Sequence, residues 1–377
     1  MSHESISPAG PASPSAGHPD HPAGSRRRGL LRRRPALMAL AVLGLVAPLA
    51  ACASDKPADS TGSTGSTSAA ASPSVIRIGY QIILNGDLVV KNQKLLENAF
   101  GPNVKVEWKL FDSGGNVNQA MAAGSLDFGL VGSSPVSRGL SSGIAYQVPW
   151  IHDVLGTSES LAVKAGITSL ADLKGKTVAT PFASTAHYSL LAALDDAGVA
   201  ASDVNIIDSE PNAILAAWQA GQIDAAYVWN PVLAQLLTNG GTLLVSSADM
   251  AAKGKTTYDL ATVTKAFATK YPAAVQTWVD QQNIAVKQIL AGDQAAYDSV
   301  AAEAGITADS AKEQMKGMIY VDAADQASDA YLGKNVGDNL YAAAQFNLGL
   351  GEITSVLDAQ AYQDAVVADF AAQAAKG

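Results

Sequence analysis

The chain of 377 residues has a single cysteine, Cys52. It can form no internal disulfide, and beyond Cys52 there is no thiol for nucleophilic catalysis or metal binding. Past residue 51 only two histidines remain, His152 and His187, and neither has metal-ligand spacing around it. Only two arginines remain there as well, Arg77 and Arg138. The formal net charge is −9; the first 51 residues carry six Arg against Glu4 and Asp20, a net of +4, which leaves −13 on the rest (−9 − 4). A chain this acidic and this poor in arginine makes no partner for nucleic acid. Gly-x-Gly-x-x-Gly, P-loop and Gly-x-Ser-x-Gly signatures are absent too. These gaps remove most common active sites, argue against an enzyme, and call for no cofactor and no metal.

What is present begins with an export signal. Arg26-Arg27-Arg28 and Arg32-Arg33-Arg34 form a basic segment, Pro35 to Leu49 a short apolar one, and Leu49-Ala50-Ala51-Cys52 follows with small residues before the cysteine. Charge, length and small-residue site read as a signal peptide over residues 1–51. Its apolar run is too short to serve as a lone spanning anchor. Leu-Ala-Ala-Cys matches the bacterial lipobox, which implies lipidation of Cys52 after cleavage before it. The chain is then extracytoplasmic and held to the outer face of the cell membrane. Arg27-Arg28-Gly29-Leu30-Leu31 also fits the twin-arginine pattern, as Arg-rich segments readily do. Residues 52–74, rich in Ser, Thr, Gly and Ala, cannot bury enough apolar surface to fold and read as a flexible tether.

From Val75 the chain repeats itself. Ala-Gly-Ser-Leu-Asp-Phe-Gly-Leu-Val around Gly124 is answered by Ala-Gly-Gln-Ile-Asp-Ala-Ala-Tyr-Val around Gly221, 97 residues later (221 − 124). In each copy an Ala-rich helix stops at a glycine, which tolerates the left-handed terminal turn, and a short apolar strand follows. Then comes a polar residue and a proline, Ser134-Pro135 or Asn230-Pro231, the pattern of a new helix start. A βαβα unit used twice predicts two similar α/β lobes with a cleft between them. Strand and helix patterning places residues 75–160 plus 260–377 in the first lobe and 161–259 in the second. One helix is expected over Asp87–Phe100, and a strand over Thr257–Val263 returns the chain to the first lobe. An almost wholly helical tail from Pro272, with runs at Ala273–Leu290 and Ala359–Ala375, is expected to wrap that lobe.

Three helix starts fall at strand ends on this topology: Ser133-Ser134-Pro135, Ser184-Thr185 and Asn230-Pro231. Unpaired N–H groups and a partial positive charge at converging N-termini suit an oxyanion, and the hydroxyls add donors. Each residue alone also reads as a simple cap. His187, in the first turn of the Thr185 helix, could donate to the same anion or be a satisfied core histidine. Trp229 could lie over an apolar part of a ligand or belong to the core.

Several motifs resemble those of the taurine-binding proteins of bacterial ABC importers. They are Phe111-Asp112-Ser113-Gly114, Gly132-Ser133-Ser134-Pro135, the run Ser184-Thr185-Ala186-His187-Tyr188-Ser189-Leu190-Leu191-Ala192-Ala193-Leu194, and Ala216-Ala217-Trp218 through Tyr227-Val228-Trp229. The likeness covers roughly Val75 to Phe370 and implies the type II periplasmic-binding-protein fold: an α/β protein of two lobes, each a mixed sheet flanked by helices. It implies a ligand-binding set of Gln81, Ser133, Ser134, Glu159, Ser184, Thr185, His187, Trp229 and Asp259, in which Glu159 and Asp259 hold the ammonium of taurine. It implies a monomer that delivers its ligand to an ABC permease and ATPase. Another small alkanesulfonate or oxyanion is the nearest rival ligand; a hydrolase using Glu159 and Asp259 as acid and base is a rival of another class. Gln81-Ile82-Ile83-Leu84-Asn85 departs from the expected pattern, and Asp153 stands out only as an extra acid upstream of Glu159.

Overall fold

A computed structural model describes residues 72–377; Cys52, the expected signal peptide and nearly all of the expected tether lie outside them. The chain enters with β1 (Val75–Tyr80), β2 (Lys105–Leu110), β3 (Phe128–Gly132) and β4 (Tyr146–Leu155), which belong to one sheet. It then crosses to a second sheet made of β5 (Glu159–Val163), β6 (Thr177–Thr180), β7 (Asn205–Asp208), β8 (Ala225–Trp229) and β9 (Thr242–Ser246). β10 (Tyr258–Thr264) and the two-residue β11 (Met318–Ile319) return to the first sheet. The strand orders are β11-β4-β10-β3-β1-β2 and β7-β6-β8-β5-β9.

The repeat in the sequence is a repeat in topology. β1 pairs in parallel with β2 and β3, as β6 does with β7 and β8. Each parallel trio is flanked by an antiparallel strand, β10 beside β3 and β5 beside β8. Gly124 and Gly221, at φ 68° and 72°, follow the helix ends that precede β3 and β8. A side chain there would strain the turn, which is why both blocks carry glycine. The central strands β3 and β8 are buried along their whole length and read as continuous apolar runs. In the first lobe Phe128 of β3 stacks on Trp278 of the helix Pro272–Leu290, ring centroids 5.0 Å apart.

Three features depart from the sequence reading. The expected helix over Asp87–Phe100 is two, Gly86–Asn92 and Leu95–Phe100, broken where Lys94 takes a left-handed conformation (φ 55°). The helical run at Ala359–Ala375 is likewise two short helices, Ala359–Gln363 and Asp369–Ala374. The tail also does more than wrap the first lobe. Its helix Asn335–Gly349 presents Phe346 to the second lobe, edge-on to Tyr188 at 5.0 Å and against the small cluster of Ala192, Ala193 and Met250. Periodicity reports which face of a helix is apolar but not which lobe receives it.

The lobes meet closely. Ser113 Oγ and Asn116 Nδ2 of the first donate to Glu210 Oε1 of the second at 3.1 and 2.7 Å. A Cβ built on Gly132 would lie 2.5 Å from Thr185 Cγ2, so the starts of two helices from different lobes all but touch.

Candidate functional site

A small cavity lies between the lobes, with about 280 Å³ of empty space counting its open mouth. The first lobe lines it with Gln81, Ile83, Gly132, Pro135 and Asp259, the second with Glu159, Ser184, Thr185 and Trp229. It sits where the parallel strands end, the place an open α/β sheet offers a ligand. Its acids occupy matching places in the repeat. Asp259 of β10 is the register partner of Gly132, the last residue of β3, and Glu159 of β5 is the partner of Trp229, the last residue of β8.

Both carboxylates are buried, at 4% and 1% exposure, and a third stands beside them: Asp153 of β4, fully buried and the other register partner of Asp259. Among the described residues no lysine, arginine or histidine comes within 4.0 Å of any of the three. Burial disfavours the charged form. It pushes Glu159 up to about 7, a rise opposed by the donors Thr185 Oγ1 (2.5 Å to Oε2) and Ser247 Oγ (2.7 Å to Oε1) and reinforced by the nearby Asp153. Burial likewise pushes Asp153 up to about 7, against the donor Asn85 Nδ2 at 2.9 Å and a hydrogen bond with Asp259. Asp259 is held well above the ordinary carboxylate range by burial first, then by the charges of Asp153 and Glu159; its Oδ2 is buried without a donor. Acids so placed need a proton, donors or a cation to offset their charge. No group of three His, Cys, Asp or Glu among the described residues is arranged to hold a metal ion.

The donors come from helix starts. Gly132 caps the helix Ser133–Ser141 and Ser184 caps Thr185–Asp196, and both caps line the cavity. The first N–H groups of a helix have no intrahelical acceptor. The hydroxyls themselves are committed elsewhere. Ser184 Oγ donates to Pro181 O at 2.6 Å and accepts from His187 N at 3.0 Å, and the Thr185 hydroxyl goes to Glu159. What this helix offers an anion is backbone N–H. The third expected start does not join: the helix begins at Val232, and Pro231 and Val232 line a separate cavity on the other side of Trp229.

Of the nine residues expected at the site, Gln81, Glu159, Ser184, Thr185, Trp229 and Asp259 are brought together. Gln81 reaches back with Nε2 to Leu130 O at 3.0 Å. Ser133, Ser134 and His187 lie outside the lining. Ser133 Oγ accepts from Tyr258 N at 3.2 Å, Ser134 Oγ accepts from Asn347 Nδ2 at 3.3 Å, and the His187 ring stacks on Phe182 at 4.5 Å. Burial holds His187 below its ordinary value and so neutral. Sequence reasoning missed Ser247, Asn85 and the part played by Asp153. Ser247 had a signal, since Ser246-Ser247 opens a helix directly after β9 in the grammar of the other starts. Asp153 had none, because only the pairing of β4 with β10 brings it to Asp259.

The comparisons with known proteins fit this geometry. A family model for the substrate-binding domain of an ABC-type glycine betaine transport system matches residues 76–314, well over half of the chain. The chain belongs to this family. The taurine-binding periplasmic protein of Escherichia coli (strain K12) is 42% identical over 173 residues, 46% of this chain and 54% of that protein. The chain spans about half the length of the curated relatives it matches. The alkanesulfonate-binding protein SsuA from Xanthomonas axonopodis pv. citri, bound to MOPS, superposes with a TM-score of 0.67 at 25% identity, over 78% of this chain and 99% of that one. The fold is not confined to binding proteins. The desulfurization enzyme DszB shares it at a TM-score of 0.57 and 15% identity, over 81% of this chain and 99% of that one. The two-lobed type II periplasmic-binding-protein fold expected from the sequence is the fold observed.

The donors around Glu159 give a pH-dependent test. A carboxylate raised in the folded state costs stability as pH climbs from the unfolded value of about 4.3 toward the folded one. For Glu159 that window closes at about 7. Removing the Ser247 hydroxyl raises the folded value further, so Ser247→Ala destabilises more at pH 8, where the folded protein must ionise Glu159, than at pH 5.5, where the folded protein holds it protonated with or without the hydroxyl. Denaturant unfolding at the two pH values measures this; equal losses would mean that Ser247 does not act through the ionised Glu159.

Proposed function

We propose that the protein is the substrate-binding component of an ABC importer and captures taurine outside the cell for delivery to a membrane permease and its ATPase. One observation carries the reading: a small interlobe cavity that joins buried carboxylates lacking a cationic partner to the starts of two helices. Taurine is a zwitterion with an ammonium and a sulfonate two carbons apart. The ammonium offers three donors to Asp259 and Glu159, and the sulfonate offers three acceptor oxygens to helix N–H groups. An alkanesulfonate without an amine would leave the acids uncompensated. A quaternary ammonium such as glycine betaine has no N–H to give them and favours an aromatic cage, whereas Trp229 is the one aromatic residue lining the cavity. The kinship with taurine- and alkanesulfonate-binding proteins supports the same choice.

Glu159, Asp259, Gln81 and Trp229, with the N–H groups at Ser133 and Thr185, form the proposed site. The lobes are proposed to divide a residue or two from the expected bounds, since β5 from Glu159 belongs to the second sheet and β10 from Tyr258 to the first, and to hinge where β4 passes into β5 at Gly156–Ser158 and where the chain returns into β10. The proposed anchor is a lipid on Cys52. No helix among the described residues is long and apolar enough to cross a membrane.

Asp259→Asn keeps the shape of the side chain and removes its charge. It is expected to weaken taurine by at least about tenfold, ~1.4 kcal/mol, and to leave ethanesulfonate unweakened or improved, because repulsion of a bare anion is relieved. Calorimetric titration at fixed ionic strength measures both; equal losses would remove Asp259 from the ammonium role, and wild-type protein indifferent to millimolar taurine would end the taurine reading. Cys52→Ala is expected to move the protein from membrane to soluble fraction with taurine affinity unchanged; a variant still bound to the membrane would point to another anchor.

A further inference from the structure

Asp153 is outside the lining of the cavity, yet it is the acid closest in register to Asp259, which lines it. The two face each other across the β4–β10 ladder, beside a register shift between Asp259 and Leu260. Their carboxyls are within hydrogen-bonding reach of each other. Asp153 Oδ2 accepts from Asn85 Nδ2 at 2.9 Å, while Asp153 Oδ1 and Asp259 Oδ2 are buried with no donor at all. Two carboxylates this close and this deeply buried cannot both ionise cheaply, and a proton held between them is the donor that both orphan oxygens lack.

We propose that Asp153 is a positioning residue that shares one proton with Asp259, so that the pair carries a single negative charge and turns it toward the cavity. The groups around the pair give its two orphan oxygens no other donor. Glu159 of β5 is a further acid, and the Tyr320 hydroxyl, beyond β11, donates to Leu84 O at 2.6 Å. Asn85, before the helix Gly86–Asn92, already gives its amide to Asp153. On the opposite face of β4, His152 turns to Asp87, at 3.7 Å, and not to this pair. The role of Asp259 toward an ammonium rests on the taurine reading; the shared proton does not.

The sign of the pH dependence follows from linkage. In the unfolded chain both aspartates ionise near 3.9, while the folded pair keeps its proton to higher pH, with Asp153 at about 7. The folded state binds the extra proton, so stability falls as pH rises from about 4 through about 7. Asp153→Asn supplies an amide that donates to Asp259 permanently, so the proton is no longer needed. The test is denaturant unfolding of the full chain from pH 5 to 7 without ligand, with taurine titration at pH 7, for the wild type, Asp153→Asn, Asp153→Ala and Asp259→Asn. Asp153→Asn and Asp259→Asn should each lose the same step, up to about tenfold in the folding equilibrium per pH unit relative to wild type. Of the two Asn variants only Asp259→Asn should lose taurine: Asp153→Asn should stay within about threefold of wild type, whereas Asp153→Ala, which has no donor, should lose tenfold or more. An unchanged pH slope in both Asn variants, or taurine loss in Asp153→Asn equal to that in Asp259→Asn, would overturn the proposal. Should wild type bind no taurine, the ligand reading falls and the slopes still decide the proton.

Discussion

Burying three carboxylates beside one another, with no basic side chain in reach among the described residues, is the constraint around which the rest of this molecule is arranged. Each buried charge opposes folding unless donors or a counter-charge offset it. Thr185, Ser247 and Asn85 supply donors for Glu159 and Asp153. They do not supply a positive charge, and Asp259 receives no such donor on Oδ2. On the proposed function, a cation from outside completes the electrostatics of this site. On the same proposal, a ligand with an ammonium relieves a cost already built into the protein, and a bare anion adds to it.

The duplicated unit explains how two chain segments far apart in sequence deliver matching acids. β10 and β5 are the antiparallel neighbours of equivalent parallel strands, so Asp259 and Glu159 face each other across the cleft from equivalent places. The same repeat aims helix starts at the cleft, although only two of the three expected reach the cavity, because the third opens beyond Trp229. Contacts between lobes hold this arrangement. Glu210 takes hydrogen bonds from Ser113 and Asn116, and Phe346 from the tail sits against the Tyr188 helix.

Much of this was legible in the amino acids, for reasons that can be named. The glycines at 124 and 221 and the polar residue before proline report local backbone requirements, so the repeat and most strands could be read directly. Glu159 and Asp259 were reached through motif resemblance, and the pairing of strands brings them to one cavity. Serine and threonine hydroxyls are ambiguous signals: at a helix start they bond a cap, an acid or another neighbouring group as readily as a ligand, as Ser184, Thr185, Ser133 and Ser134 do here. Asp153 and Phe346 act through contacts with residues remote in the chain, and no local pattern carries that information. The break at Lys94 escaped for the opposite reason, a single left-handed residue inside an otherwise helical pattern.

The most direct test of the polarised cavity is a crystal structure of the protein with taurine, its sulfur located by anomalous scattering. The account places the nitrogen within about 3 Å of carboxylate oxygens of Asp259 and Glu159, and the sulfonate oxygens on N–H groups at the starts of the Ser133 and Thr185 helices. A ligand bound the other way round, or outside the cavity between Gly132 and Trp229, would contradict it.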